Sequence, residues 1–147
     1  MAEEPKLIKG GLAVDDRGEV GFVNDFSFEK VKRFYTLSNH SKGFVRAWHG
    51  HKKESKYFYV IKGAALICAV KIDNWETPNA ASEVTRFTLS DKLPALLYVP
   101  AGYANGSMSL TDDAKIMVFS TSALDESLND DFRFPARLWD PWGVEER

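Results

Sequence analysis

The chain has 147 residues, 44% of them hydrophobic and 27% charged, with a formal net charge of −2. That length suits one domain with its own core, and the balanced charge gives no sign of nucleic-acid or membrane-surface binding. A single cysteine, Cys68, excludes a disulfide scaffold, and no apolar run approaches the roughly 20 residues of a membrane span, so a soluble cytoplasmic protein is expected.

Residues 1–10 begin polar and run into Gly10-Gly11, which predicts a loose N-terminus. Asp15-Asp16-Arg17-Gly18 reads as a turn, followed by a short strand over Glu19–Val23. Residues 31–37 alternate as a strand, with Val31, Arg33, Tyr35 and Leu37 on one face and Phe34 on the other. After a loop over Ser38–Gly43 come a strand carrying His49 and His51 and a β-rich run, Lys56–Lys62, closed by a turn at Gly63. Ala64–Ile72 is largely apolar, as in a strand covered on both faces, and holds Cys68, which reads as packing. A loop over Asp73–Ser82 precedes strands at Glu83–Leu89, Ala95–Val99, Ala104–Leu110 and Lys115–Thr121. The segment 122–147 is expected to be an extension with one short helix near Asp125–Asp131. Many short strands with regular turn signals predict an all-β sandwich or barrel in a single domain, 1–147.

The chemistry concentrates at Gly43 to Gly63. His49 and His51 lie two apart, so a strand puts both rings on one face. Gly43, His49 and His51, with the later turn Pro100-Ala101-Gly102, resemble the two motifs of the cupin family, which implies a jelly-roll β-barrel. Metal-binding cupins carry a glutamate four or five places after the second histidine. Here Ser55 and Lys56 stand there, with Glu54 one place early, and Asn105 replaces the histidine that closes the second motif. A divalent ion wants three or four N/O ligands, and a lysine puts positive charge in their place, so no metal and no cofactor are expected.

The order of motifs narrows the resemblance. Asp15–Gly18, Ser38–His49, Lys56, Ile61-Lys62-Gly63, Tyr98–Gly102 and Trp139-Asp140-Pro141 resemble the dTDP-4-dehydrorhamnose 3,5-epimerases. The His-x-His pair and short chain are also similar to the nucleotide-sugar 3,4-ketoisomerases. The resemblance implies a nucleoside-diphosphate 4-keto-6-deoxyhexose as substrate, and a homodimer. It implies His49 as the base, Lys56 as the group that stabilises the enolate, Arg46 and Arg17 on the diphosphate, with Arg17 reaching into the partner subunit's site, and Asn39 near the substrate. Asn105 joins these binding candidates. The family's tyrosine falls near Ser120–Leu124, where this chain has Ala123 and Leu124, and the acid paired with the catalytic histidine has no clear counterpart.

The residues support this chemistry on their own terms. A histidine titrates near neutrality and serves as base and acid in turn, and an ammonium aimed at the developing oxyanion is a large stabilising element. A two-centre epimerase needs a second acid, for which Tyr59, Tyr35 and Tyr103 are candidates; a ketoisomerase could use the two neighbouring histidines instead. A non-catalytic sugar-binding cupin is the reading from another class. Of Trp48, Tyr57 and Phe58, two are expected in the core.

Overall fold

The computed structural model describes residues 3–147. The strands are β1 (Lys6–Lys9), β2 (Gly11–Asp15), β3 (Gly18–Phe22), β4 (Arg33–Ser38), β5 (Val45–His51), β6 (Lys56–Lys62), β7 (Ala64–Lys71), β8 (Val84–Ser90), β9 (Ala95–Val99), β10 (Tyr103–Ser109), β11 (Lys115–Ser120) and β12 (Phe132–Arg133). One short helix, α1 (Leu124–Leu128), lies before β12. The strands form two five-stranded antiparallel sheets, ordered β1-β9-β6-β11-β4 and β12-β5-β10-β7-β8, and a separate β2–β3 ribbon. The all-β class that the strand pattern predicts is borne out, and the two packed sheets match the jelly roll that the cupin resemblance implies.

Period-two patterning assigns the inner faces. In β6, Lys56, Phe58 and Val60 are buried while Tyr57 and Tyr59 are less so. Phe58 and Val60 meet Ile67, Ala69, Leu97, Val99, Ile116 and Val118 between the sheets. Strand β7 is buried through most of its length because its outer face is covered too. Leu66, Cys68 and Val70 pack there against Trp48, Trp139 and Trp142, so the C-terminal segment forms a second core. Gly106 is needed at this seam, since a Cβ there would lie 2.9 Å from the Trp142 ring. Burial pushes the Cys68 thiol up to about 12, as suits a packing residue. Trp48 and Phe58 are core, whereas Tyr57 packs on the outer face against Phe26 and Tyr98.

The N-terminus corrects one expectation. Met1 and Ala2 lie outside the described residues, but Lys6–Lys9 is a strand rather than a loose segment, pairing Leu7 with Leu97 on β9. Its apolar pair Leu7-Ile8 is too short to stand out in the sequence; the open edge of β9 gives it hydrogen-bond partners. The hairpin around Asp16-Arg17 pairs Asp15 with Gly18, whose φ of 140° favours glycine.

Candidate active site

Between the inner faces of β4 and β6 in one sheet and β5 and β10 in the other, a cavity of about 580 Å³ opens, lined also by residues of α1 and β12. Its wall includes Arg33, Tyr35, Arg46, His49, His51, Lys56, Asn105, Ser107, Asp131 and Arg133. The His-x-His spacing puts both imidazoles on the inner face, as the alternation predicts. Arg46 is an even position and would face away in a regular strand. The β5–β10 register shifts between His49–Asn105 and Arg46–Ser107, so that Ala47 and Trp48 stand opposite Gly106 alone. This bulge turns Arg46 to the side of the histidines.

His51 is 4% exposed. Its Nδ1 lies 2.7 Å from the Asp130 carbonyl oxygen. A carbonyl only accepts, so Nδ1 carries the hydrogen and donates, and the lone pair is left on Nε2. Nε2 has no hydrogen-bond partner among the described residues and belongs to a residue that lines the cavity. Burial lowers the pKa of His51, with Lys56 adding to the effect, and favours the neutral ring. His49 is pushed down to about 4, first by burial, then by Lys56 and Arg133. Lys56 is itself buried, and its Nζ donates to the Tyr35 hydroxyl at 3.0 Å.

Asp130 and Glu54 build this geometry. The Asp130 carboxylate accepts from the backbone N–H groups of Lys52, Lys53 and Glu54 at 2.7, 2.9 and 2.9 Å, fixing the turn after His51. Asp130 is buried despite its charge, because it caps three donors that the turn leaves free. Glu54, 1% exposed, accepts from Ser120, from Ser127 at 2.8 Å and from Arg33 at 3.4 Å. A metal would need further ligands beside the two imidazoles. Lys56 stands in the same cavity, the Glu54 oxygens are engaged by other groups, and no set of three or more His, Cys, Asp or Glu among the described residues is placed to hold an ion. These residues do not fit a metal centre.

The remaining candidates divide. Asn39 reaches the site through Arg46, whose Nε donates to the Asn39 side-chain oxygen at 2.6 Å. Asn105 lines the cavity. Tyr59 does not: period two sends it to the outer face of β6, with its hydroxyl beside Gly21. Tyr103 shares the inner side with Asn105 but sits at the start of β10 and lines a different cavity, with Lys71 and Thr85. Of the three candidate tyrosines only Tyr35 lines this one. Arg17 lies on the β2–β3 ribbon, its side chain 86% exposed and paired with Asp15, and does not line the cavity of its own chain. Sequence reasoning missed Arg33 and Arg133 as site residues. Arg33 could have been found, since it shares the Tyr35 face of β4; Arg133 carries no local signal, because it arrives on a two-residue strand from the extension.

A jelly roll whose pocket gathers imidazole, lysine and arginine side chains is that of a cupin of the sugar-isomerase type. The profile of the dTDP-4-dehydrorhamnose 3,5-epimerase family matches residues 8–134. The chain belongs to that family and is an enzyme of the isomerase class. No curated protein matches it. Among solved structures, it is similar to a 3,4-ketoisomerase from Thermoanaerobacterium thermosaccharolyticum bound to TDP, at 24% identity and a TM-score of 0.70, covering 95% of this chain and 94% of that one. It is also similar to a dTDP-4-dehydrorhamnose 3,5-epimerase from Bacillus anthracis, at 20% identity and a TM-score of 0.76, covering 97% and 86%. A 3'-monoepimerase from Streptomyces bikiniensis aligns at 21% identity and a TM-score of 0.66, covering 82% and 65%. At these identities the likeness establishes the fold.

Proposed function

We propose that the chain is a single cupin domain that enolises a nucleoside-diphosphate 4-keto-6-deoxyhexose and epimerises it at C3 and/or C5, without a metal. The observation that carries this reading is the unpartnered Nε2 of a neutral His51 in a cavity shared with Lys56. His51 takes the proton from the carbon next to the ketone through Nε2. The Lys56 ammonium stabilises the enolate oxygen. Tyr35, hydrogen-bonded to Lys56, is the phenol available to return a proton to carbon; the turnover closes when His51 releases the abstracted proton to water and the Tyr35 phenolate takes one back from water. The resemblance gave the base's role to His49, but the Asp130 carbonyl fixes the tautomer of His51, and that supports His51. Arg46, Asn39, Asn105, Arg33 and Arg133 supply donors for the diphosphate and sugar.

A 3,4-ketoisomerase is the second reading, favoured by two imidazoles on one cavity wall, which could carry a proton from C3 to C4. NMR of dTDP-4-keto-6-deoxyglucose with chelator-treated protein in deuterated water separates the readings. Deuterium entering C3 or C5 with the ketone still at C4 is the expected result. A ketone appearing at C3 identifies the ketoisomerase, and tight binding without exchange a non-catalytic binding protein.

A homodimer in the cytoplasm completes the proposal. The β2–β3 ribbon stands apart from both sheets and leaves Val14 and Val20 69% and 63% exposed. A second copy would cover them and give Arg17 a place in the partner's site. Val14→Asp with Val20→Asp is expected to yield a monomer in light scattering; an unchanged dimer would exclude the ribbon as the interface.

A further inference from the structure

Among the described residues, two buried side-chain polar atoms have no hydrogen-bond partner, His51 Nε2 and Arg33 Nε. Both belong to residues that line the cavity. One offers a lone pair and the other an N–H, a complementary couple for a substrate with both acceptor and donor groups. One side chain also lies close to both residues. Glu54 Oε1 lies 3.4 Å from His51 Nδ1, and Glu54 Oε2 accepts from Arg33 Nη2 at 3.4 Å.

We propose that Glu54 is a positioning residue whose two carboxyl oxygens orient His51 and Arg33 together, so that a base and a hydrogen-bond donor face the substrate as one unit. The rest of its surroundings fit. Ser120 and Ser127 donate to the two oxygens and hold the carboxyl group in one rotamer, from two different elements, β11 and α1. Burying a carboxyl group so completely is costly unless its acceptors are filled, and here each oxygen has a serine and a cationic or cation-forming partner. Arg33 also lies over the Tyr35 ring at 5.1 Å, so its fork is fixed from two sides.

When His51 accepts the substrate proton, its ring becomes an imidazolium. The Asp130 carbonyl already sets the tautomer, so the distinct contribution of Glu54 is charge beside Nδ1–H. The titratable and charged groups around the ring are Lys56 and His49, which oppose its protonation, and Glu54 with Asp130, which favour it. A carboxylate bound to the far side of a catalytic histidine is a known way to stabilise that cation. No local pattern marks this role, because Glu54 stands one place before the metal-ligand position and, His51 apart, its partners are 21, 66 and 73 residues away.

The inference about rate rests on the enolising function proposed above; the inference about His51 does not. The test is Glu54→Gln, which keeps the shape and removes the charge. In ligand-free protein, the ring-proton NMR titration of His51 is expected to move to lower pH than in the wild type. In deuterium exchange into the substrate, kcat is expected to fall about tenfold to a hundredfold, less than the loss of a whole acid–base group because the tautomer survives. A merely structural Glu54 would lower the melting temperature and leave the His51 midpoint where it was, which overturns the proposal. If the variant does not fold, Glu54→Asp retracts the carboxyl group by one methylene and the midpoint should fall in the same direction by less; an unchanged midpoint again overturns it. If neither wild type nor variant exchanges deuterium, the enolising function fails while the His51 titration still decides the role of Glu54.

Discussion

Strand β5 has two faces with opposite tasks. Inward it presents Arg46, His49 and His51 to a polar cavity; outward it presents Val45, Ala47 and Trp48 to an apolar seam under the C-terminal segment. The outer face is filled: the Trp48 indole N–H donates to the Trp139 carbonyl at 3.1 Å and its ring packs on Trp142 at 5.1 Å between centroids. The inner face leaves polar atoms without partners. A strand packed tightly on one side can hold imidazoles in fixed orientation on the other, and the bulge at Ala47-Trp48 serves both faces at once, seating Trp48 and re-aiming Arg46.

Substitutions on the two faces should therefore separate rate from stability. His51→Asn should cost the largest factor, about 10²- to 10⁴-fold in kcat, with an unfolding midpoint close to wild type; comparable loss of both would mean that the inner face is structural. Trp48→Ala should do the opposite, destabilising by about 3–5 kcal/mol in urea unfolding, while the folded fraction keeps the wild-type pH profile. Arg46→Ala should raise KM about tenfold to a hundredfold, by removing charge-assisted hydrogen bonds of about 1.5–3 kcal/mol, and leave kcat nearly unchanged. Asn39→Ala, which removes the acceptor for Arg46 Nε and a donor to Ser109, should raise KM by less.

The pH dependence sharpens the same contrast. Both cavity histidines have pKa values below the ordinary 6.5, His49 at about 4. Between the folded value and 6.5 the unfolded chain binds more protons than the folded one, so stability falls as pH drops through that window. Urea titrations from pH 7 to 4.5 should show this loss, and His49→Asn should reduce it. Because the neutral base survives below 6.5, the acid limb of kcat/KM should lie below that of an unperturbed histidine.

Much of this was legible. The inner face of β6 followed from Lys56, Phe58 and Val60 at period two, and the cavity's His49, His51 and Lys56 followed from spacing. Tyr59 and Tyr103 show where reading by residue type fails. A tyrosine is chemically suited to the acid's role wherever it stands, but Tyr59 has the wrong parity and Tyr103 lies at the wrong end of its strand. The acid paired with the catalytic histidine has no clear counterpart in the sequence; what His51 donates to is the Asp130 backbone carbonyl, to which sequence is blind, with Glu54 of the adjoining turn 3.4 Å from the same nitrogen.

The sequence by itself determined the all-β class, most strand positions and the shared face of the two imidazoles on β5, because alternation and turn residues act over a few neighbours. The tertiary structure decided the tautomer of His51, the burial of Glu54 and Asp130, the arrival of Arg133 and the turning of Arg46. Each of these depends on contacts or register between strands far apart in the chain, where burial and hydrogen-bond satisfaction act through distance in space.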